Sequence, residues 1–302
     1  MSRHTPVLLK ETVEALSLRP GFKVIDCTLG DAGHSEEILE KIGPNGQLLG
    51  IDADVESVLR AKRYLYRFET QTKLVKDNFS HLKQIVEENS FAPVDGIIMD
   101  LGWSGPQFEE RGRGFSFQKD EPLDMRFAAD KNGETAADLL NDSTTEELKK
   151  IFKYFGEEEL AEEIAEAVVG RRKIKKIETT EELTELVLQV YRKKLNSDKE
   201  IPWIGGIHPA TKVFQALRVA VNKELEVLKE VLPQALEILS PGGRLAVITF
   251  HSLEDRIVKQ YFQKVNNKTG KIINKKPIIA GEEEIKNNPR ARSAKLRIIE
   301  KI

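Results

Sequence analysis

Asp26, Asp52 and Asp100 each end a short apolar run, Val24-Ile25, Leu48-Leu49-Gly50-Ile51 and Gly96-Ile97-Ile98-Met99. An acid at the carboxyl end of a buried strand is where open α/β sheets hold their ligands. Between the first two acids runs Thr28-Leu29-Gly30-Asp31-Ala32-Gly33-His34-Ser35, a loop whose glycines let a backbone approach a ligand closely. Asp52 stands 22 residues after Gly30 and can accept two hydrogen bonds from ribose hydroxyls. It can equally cap a helix, as can Asp54. Asp100 can hold a cofactor's amino group or a substrate amine, or simply close a turn. A fourth candidate is His251, which follows the apolar run 244–250 and precedes Glu254 and Asp255. A histidine among acids suits proton transfer or a metal, although Ser252 three residues before Asp255 also has capping spacing.

The loop selects among cofactors. A dinucleotide loop reads G-x-G-x-x-G, and Gly30 and Gly33 supply no G-x-G. An acid four residues ahead of the first glycine instead resembles the adenosylmethionine loop of Rossmann-like methyltransferases. An ordinary tight strand-to-helix turn would look similar. With one cysteine, Cys27, and five dispersed histidines, no dedicated metal site is expected.

The elements that must position these residues alternate. Strands are expected at 24–25, 48–51, 73–75 and 94–101, and helices at about 35–41, 54–66 and 82–88, which indicates a parallel sheet built of βαβ units. Residues 105–134 are aperiodic and rich in Gly, Arg, Phe and Pro. Phe115, Phe117, Arg111, Arg113 and Arg126 there can stack on and clamp a nucleotide, or the loop can pack its own aromatics. Helices are then expected from a capping box at 143–146, over 157–169, and from a capping box at 179–182 to about Tyr191. The α/β pattern resumes with helices 210–220 and 224–239, a turn at 240–243, a strand at 244–250, a helix at 255–262 and a strand at 295–299.

The chain has 302 residues, 40% hydrophobic and 32% charged, with a formal net charge of -2. That is a folded, charged composition without a membrane-length apolar run or a signal-peptide pattern, and a reducing cytoplasm fits the single cysteine. The small net charge does not by itself argue for nucleic acid. Two basic stretches, 171–176 and 290–297, can contact phosphates or be solvated faces.

Taken together, ordered blocks across the chain resemble the RsmH (MraW) family of bacterial methyltransferases. They include His4-Thr5-Pro6, Gly33-His34-Ser35, Asp100-Leu101-Gly102, Arg113-Gly114-Phe115-Ser116-Phe117, Pro122-Leu123-Asp124-Met125-Arg126 and Tyr154-Phe155-Gly156-Glu157-Glu158. His208-Pro209-Ala210-Thr211-Lys212, Ser252-Leu253-Glu254-Asp255-Arg256 and Asn288-Pro289-Arg290-Ala291-Arg292-Ser293 continue the series. The resemblance implies a Rossmann-like S-adenosylmethionine-dependent methyltransferase sheet with an inserted all-helical domain. It implies transfer of a methyl group to the N4 amine of a cytosine in the decoding region of small-subunit ribosomal RNA. The substrate is expected within the assembled or nearly assembled small subunit. No membrane partner is expected, and the oligomeric state stays open, a homodimer being one option.

Domain limits of 1–107 with 208–302 for the methyltransferase part, and 108–207 for an RNA-facing helical insert, follow from the same reading. By position, the family's cofactor contacts fall on Ala32, Gly33, His34, Asp52, Phe79, Asp100 and Gln107. Phe79 would lie along the adenine. Asp100 is the first candidate for a polar group near the transferred methyl, and His251 the weaker one. The chain departs from the family at Asp31 and Ala32, where arginine and glycine are usual, and at Trp103 and Gly105. The rivals are a nicotinamide-dependent oxidoreductase, disfavoured by the missing G-x-G-x-x-G, and a non-catalytic RNA-binding assembly factor.

Overall fold

The computed structural model describes residues 5–102, 112–128, 133–196 and 207–302. Short apolar runs with β-branched residues become the strands of one seven-stranded sheet: β1 Lys23–Asp26, β2 Gln47–Asp52, β3 Thr72–Lys76, β4 Val94–Asp100, β5 Leu239–Thr249, β6 Gly270–Ile272 and β7 Lys295–Lys301. The strand order is β3-β2-β1-β4-β5-β7-β6. Strands β1 to β5 pair in parallel, and β7 runs antiparallel to both β5 and β6. Residues 240–243, expected as a free turn, fall within β5 as a bulge, because Val94 pairs with Leu239 while Gly96 pairs with Arg244.

Helices cover both faces, as a parallel sheet requires. Helices α1 Leu9–Ala15, α2 Gly33–Ile42 and α3 Val55–Tyr64 lie in the first part of the chain, with α4 Leu82–Glu88 after β3. One apolar layer gathers Ile25, Leu49, Ile51, Ile97 and Met99 with Leu82, Ile85, Leu228, Leu232 and Phe262. The opposite layer gathers Val24, Leu48, Ile98 and Ile248 with Leu8, Ile38, Leu39 and Ile42. Successive residues of each strand therefore feed opposite layers, and the acids at the strand ends emerge between them.

The chain divides into two compact units, residues Met1–Trp103 with Leu225–Ile302, and Ser104–Glu224. The second holds α5 Ala136–Asp142, α6 Thr145–Gly156, α7 Ala161–Arg172, α8 Thr180–Leu195 and α9 Thr211–Asn222. This division differs from the expected limit at 207/208, because α9 packs on α6. Gly156 permits that approach: a Cβ there would stand 2.5 Å from the Lys212 carbonyl oxygen. Helix α10, Glu224–Ile238, and helices α11 Ser252–Val265 and α12 Glu282–Asn287 follow.

Two helix starts shift. The capping box expected at 143–146 is Thr144 with Glu147, and that at 179–182 is Thr179 with Glu182 as expected. The helix expected from Glu157 begins instead at Ala161, since Glu157 takes the left-handed conformation that ends α6. In the loop, Phe115 stacks on Phe127 at 5.8 Å and Phe117 on His208 at 4.5 Å. Arg113 donates to the carbonyls of Arg126 and Phe127, and Arg126 grips Asp124 through Nε and Nη2 at 2.8 and 2.7 Å. The described part of the loop thus packs its own rings and guanidiniums, the plainer of the two expectations. Arg111 lies outside the described residues.

Candidate cofactor site

Strand order reverses between β1 and β4, with β2 and β3 on one side and β5 on the other. Open sheets bind ligands in the crevice at the carboxyl ends of such strands. Asp26 and Asp100 end these two strands, and Asp52 ends β2 beside them.

Asp26 is buried and organises the loop. Its Oδ2 accepts the Ser35 hydroxyl at 2.6 Å, and Oδ1 accepts the Thr28 N–H at 3.0 Å. The Thr28 hydroxyl in turn accepts the N–H of Asp100 at 2.7 Å. Asp52 ties the loop on its other side: Oδ2 accepts the Gly30 N–H and Oδ1 the Asp54 N–H, both at 2.9 Å. Asp54, not Asp52, caps α3, accepting from the N–H groups of Glu56 and Ser57. The Asp52 carboxylate thus keeps lone pairs for a second set of donors, as a diol ligand requires.

The small residues have distinct reasons. Gly30 sits at φ +49°. Gly33 admits Pro6, whose Cγ lies 2.1 Å from where a Cβ would stand. Ala32, in the place of a glycine, is held at φ 58°, ψ 31° just before α2, so its methyl is accommodated in the left-handed region at a cost of roughly 1–2 kcal/mol. Asp31, in the place of an arginine, accepts Nε of Arg60 on α3 at 2.8 Å, which fastens the loop to that helix.

His34 is buried at the start of α2, with Nε2 3.1 Å from the Val7 carbonyl and Nδ1 3.7 Å from Oδ2 of Asp100. The other Asp100 oxygen, Oδ1, is buried without a hydrogen-bond partner among the described residues. Desolvation, reinforced by the charges of Asp26 and Glu254, pushes the Asp100 carboxyl up to about 8. Asp52 is pushed up to about 6, again chiefly by desolvation, and Asp26 is also raised. Three acids held above the ordinary carboxylate range thus line one crevice, Asp26 committed to Ser35 and Thr28, and Asp100 with an oxygen unpartnered among the described residues.

Phe79 opens a short 3-10 turn directly after β3, set by the Asn78 side chain, and packs partly buried on the apolar layer of Ile51 and Met99. Gln107 lies outside the described residues. His251 occupies the cap position of α11, where the Glu254 carboxylate accepts the N–H groups of Phe250 and His251 at 2.8 and 3.3 Å. The capping unit therefore starts one residue before the expected Ser252. The His251 Nε2 stands 3.2 Å from Glu254 Oε1, and neither ring nitrogen has a hydrogen-bond partner among the described residues.

Sequence reasoning did not select Thr28, Ser35 or Glu254 for the site. An acid two residues before Thr28 is the signature of a local side-chain turn, which could have pointed to Thr28. Ser35 and Glu254 had no such signal beyond helix-start spacing.

The dinucleotide sheet has strands ordered 3-2-1-4-5-6. Here a reversed β7 sits between β5 and β6, the first loop lacks G-x-G-x-x-G, and an orphaned acid ends β4. Those features define a Rossmann-like methyltransferase that uses S-adenosylmethionine. The chain belongs to the MraW methylase family, which matches residues 1–302. A relative from Dehalococcoides mccartyi named ribosomal RNA small subunit methyltransferase H is 44% identical, covering 99% of this chain and 86% of its own. Proteins of the same name from Brevibacillus brevis and Clostridioides difficile are 43% and 42% identical, each covering 99% of this chain and 98% and 99% of their own. The nicotinamide and non-catalytic readings are thereby set aside. Among the described residues, no helix is long and apolar enough to cross a membrane.

Proposed function

We propose that the enzyme transfers a methyl group from S-adenosylmethionine to the exocyclic N4 amine of a cytidine in the decoding region of small-subunit ribosomal RNA. The relatives' name supports the RNA, and acting on ribosomes supports a cytoplasmic location. The observation that carries the amine is Asp100 Oδ1, a buried acceptor without a partner at the end of β4. When bound, S-adenosylmethionine supplies an electrophilic methyl group on a sulfonium.

The residues fit that cofactor. Asp52 receives the ribose hydroxyls. Ala32, Gly33 and His34 approach the amino-acid portion with their backbone, Phe79 flanks the adenine, and Gln107 joins them by position. A cytosine amine is a weak nucleophile because its lone pair is delocalised into the ring. Asp100 accepts one amine hydrogen and draws the lone pair out of conjugation, while the rigid loop enforces alignment. His251, held beside Glu254, is the second acceptor at this edge of the sheet. The target base leaves its stack to reach them, and the helical insert faces the RNA.

Transfer of labelled methyl to small subunits, followed by nucleoside analysis, tests the reading. Label in N4-methylcytidine is expected. Label in C5-methylcytidine or in another nucleoside would overturn the assignment of the amine.

A further inference from the structure

Residues 171–176, Arg171-Arg172-Lys173-Ile174-Lys175-Lys176, carry five cations and no acid. They run from the last turn of α7, which ends at Arg172, into the connection to α8, whose first turn is acidic with Glu181 and Glu182. Two of the five cations have structural work. Arg172 donates to the Leu140 carbonyl at 2.8 Å, and Lys175 pairs with Glu182. Arg171, Lys173 and Lys176 are exposed, and Lys176 interacts electrostatically with Asp138.

A helix C-terminus attracts cations, which accounts for Arg171 and Arg172. It does not account for Lys175 and Lys176, which approach the start of α8, where the dipole repels them. Ile174 stands among these charges at 85% exposure, the most exposed large apolar side chain among the described residues.

The backbone beneath is fixed. The Ile174 and Lys175 N–H groups both donate to the Arg171 carbonyl. Ile177 is fully buried, and Asn141 holds both its N–H and its carbonyl, at 3.0 and 2.8 Å. A mere linker needs no such anchoring. A rigid turn that presents three cations around one aliphatic side chain loses little backbone freedom on binding.

We propose that this turn docks on small-subunit ribosomal RNA: Arg171, Lys173 and Lys176 contact phosphates, and Ile174 packs on a ribose or base edge. The proposal rests on the reading of that RNA as substrate.

The test uses full-length enzyme and the variant Arg171→Gln/Lys173→Gln/Lys176→Gln. Binding to small subunits and to protein-free small-subunit RNA is measured across a salt series, with adenosylmethionine binding as the control for folding. The expected variant binds the cofactor as before and loses at least about tenfold in RNA affinity. Its slope of log affinity against log salt is shallower by about 2 to 3, since each phosphate contact contributes roughly 0.7 to 0.9. Ile174→Ala is expected to weaken binding about fivefold at every salt concentration, without a change of slope.

An unchanged slope in the triple variant overturns the phosphate contacts, and unchanged affinity in Ile174→Ala overturns the apolar one. A slope that changes on particles but not on protein-free RNA assigns the turn to a ribosomal protein and overturns the proposal. Failure of the wild-type enzyme to methylate small subunits would sink the underlying reading instead, and is seen separately.

Discussion

His34 and Asp100 face each other across the point where the sheet reverses, with the imidazole Nδ1 3.7 Å from the carboxyl Oδ2. The Val7 carbonyl at 3.1 Å can only accept, so the Nε2 of His34 carries the hydrogen. In the neutral ring Nδ1 is then a lone pair directed toward Asp100. A carboxyl raised to about 8 by desolvation and by the charges of Asp26 and Glu254 is mostly protonated at neutral pH. A cation arriving at the crevice favours the carboxylate and drives the proton off. The start of α2 and the end of β4 thus meet at one crevice, where Asp100 carries the proton that a cation displaces.

Cofactor binding should therefore release a proton below about pH 8. The sign follows from the raised value: the cofactor-free protein holds the proton, and the cationic ligand prefers the ionised form. Affinity for adenosylmethionine should rise with pH from 6 to about 8, with a limiting gain of about tenfold per unit, and flatten above. Calorimetry in two buffers of different ionisation enthalpy measures the released proton directly. Asp100→Asn should bind weakly and show no such rise; a wild-type affinity independent of pH would remove Asp100 from the linkage.

The same acids set the stability of the cofactor-free protein. Asp26, Asp52 and Asp100 all have folded values above the ordinary 3.8, so the native state binds more protons than the unfolded chain. Their contribution to stability falls as pH rises from about 4 to about 8. In Asp52→Asn the slope below about pH 6 should become shallower in denaturant titrations, with Asp26 and Asp100 supplying what remains, while ribose recognition is lost. A variant with the full wild-type slope would show that Asp52 titrates normally.

Thr28 is expected to act on the site at one remove, because its hydroxyl holds the Asp100 N–H at 2.7 Å. Thr28→Val keeps the shape and removes the acceptor, leaving a buried donor at a cost of roughly 1–3 kcal/mol. Steady-state kinetics should show a raised KM for adenosylmethionine with a smaller change in kcat, and Thr28→Ser should recover most of it. A valine variant with wild-type kinetics beside a defective serine variant would mean that the methyl group, not the hydroxyl, matters.

Much of this site was legible because buried strands that end in acids announce themselves. Asp26, Asp52 and Asp100 each close an apolar run, and the parallel sheet follows from the alternation. What joins them was not legible. The bonds of Asp52 to Gly30 and of His34 to Val7 span 22 and 27 residues, and no local pattern encodes either. Whether Ala32 could take a left-handed conformation was undecidable from its type, because the surrounding bonds force it. Phe79 entered only through the family resemblance, since one aromatic after a strand has no spacing to distinguish it. Glu157 looked helical by composition, yet the closure of α6 places it at φ 50°. Strand β6 has three residues, too few for a periodic signal.

Gly114 should tolerate no side chain. Its φ is +74°, and a Cβ would stand 2.4 Å from the Pro122 carbonyl oxygen, which is backbone and cannot swing aside. Its N–H also donates to the buried Glu121 carboxylate at 3.0 Å. Gly114→Ala should destabilise the helical unit by about 2 kcal/mol or more, since strain and clash act together. Limited proteolysis should cut the 112–128 loop faster in this variant. Wild-type resistance would show that the loop shifts freely to make room.

The tightest electrostatic test lies away from the crevice, where Arg297 of β7 grips Asp255 of α11 through Nε at 2.6 Å and Nη2 at 3.2 Å. Both side chains are nearly buried, and Lys295 stands 3.5 Å from the same carboxylate. Burial by itself raises Asp255, but the bonds and charge of Arg297 outweigh it, so the folded value is lowered. The pair's contribution is then present at neutral pH and lost as pH falls through the acid range below about 4. Arg297→Ala leaves a buried carboxylate with only Lys295 and should cost about 3 kcal/mol, the lower end for a broken buried pair. Denaturant titrations at neutral pH should show that gap, and it should narrow in acid as Asp255 becomes protonated. A gap that stays constant into acid would assign the loss to the packing of the Arg297 stem rather than to its charge.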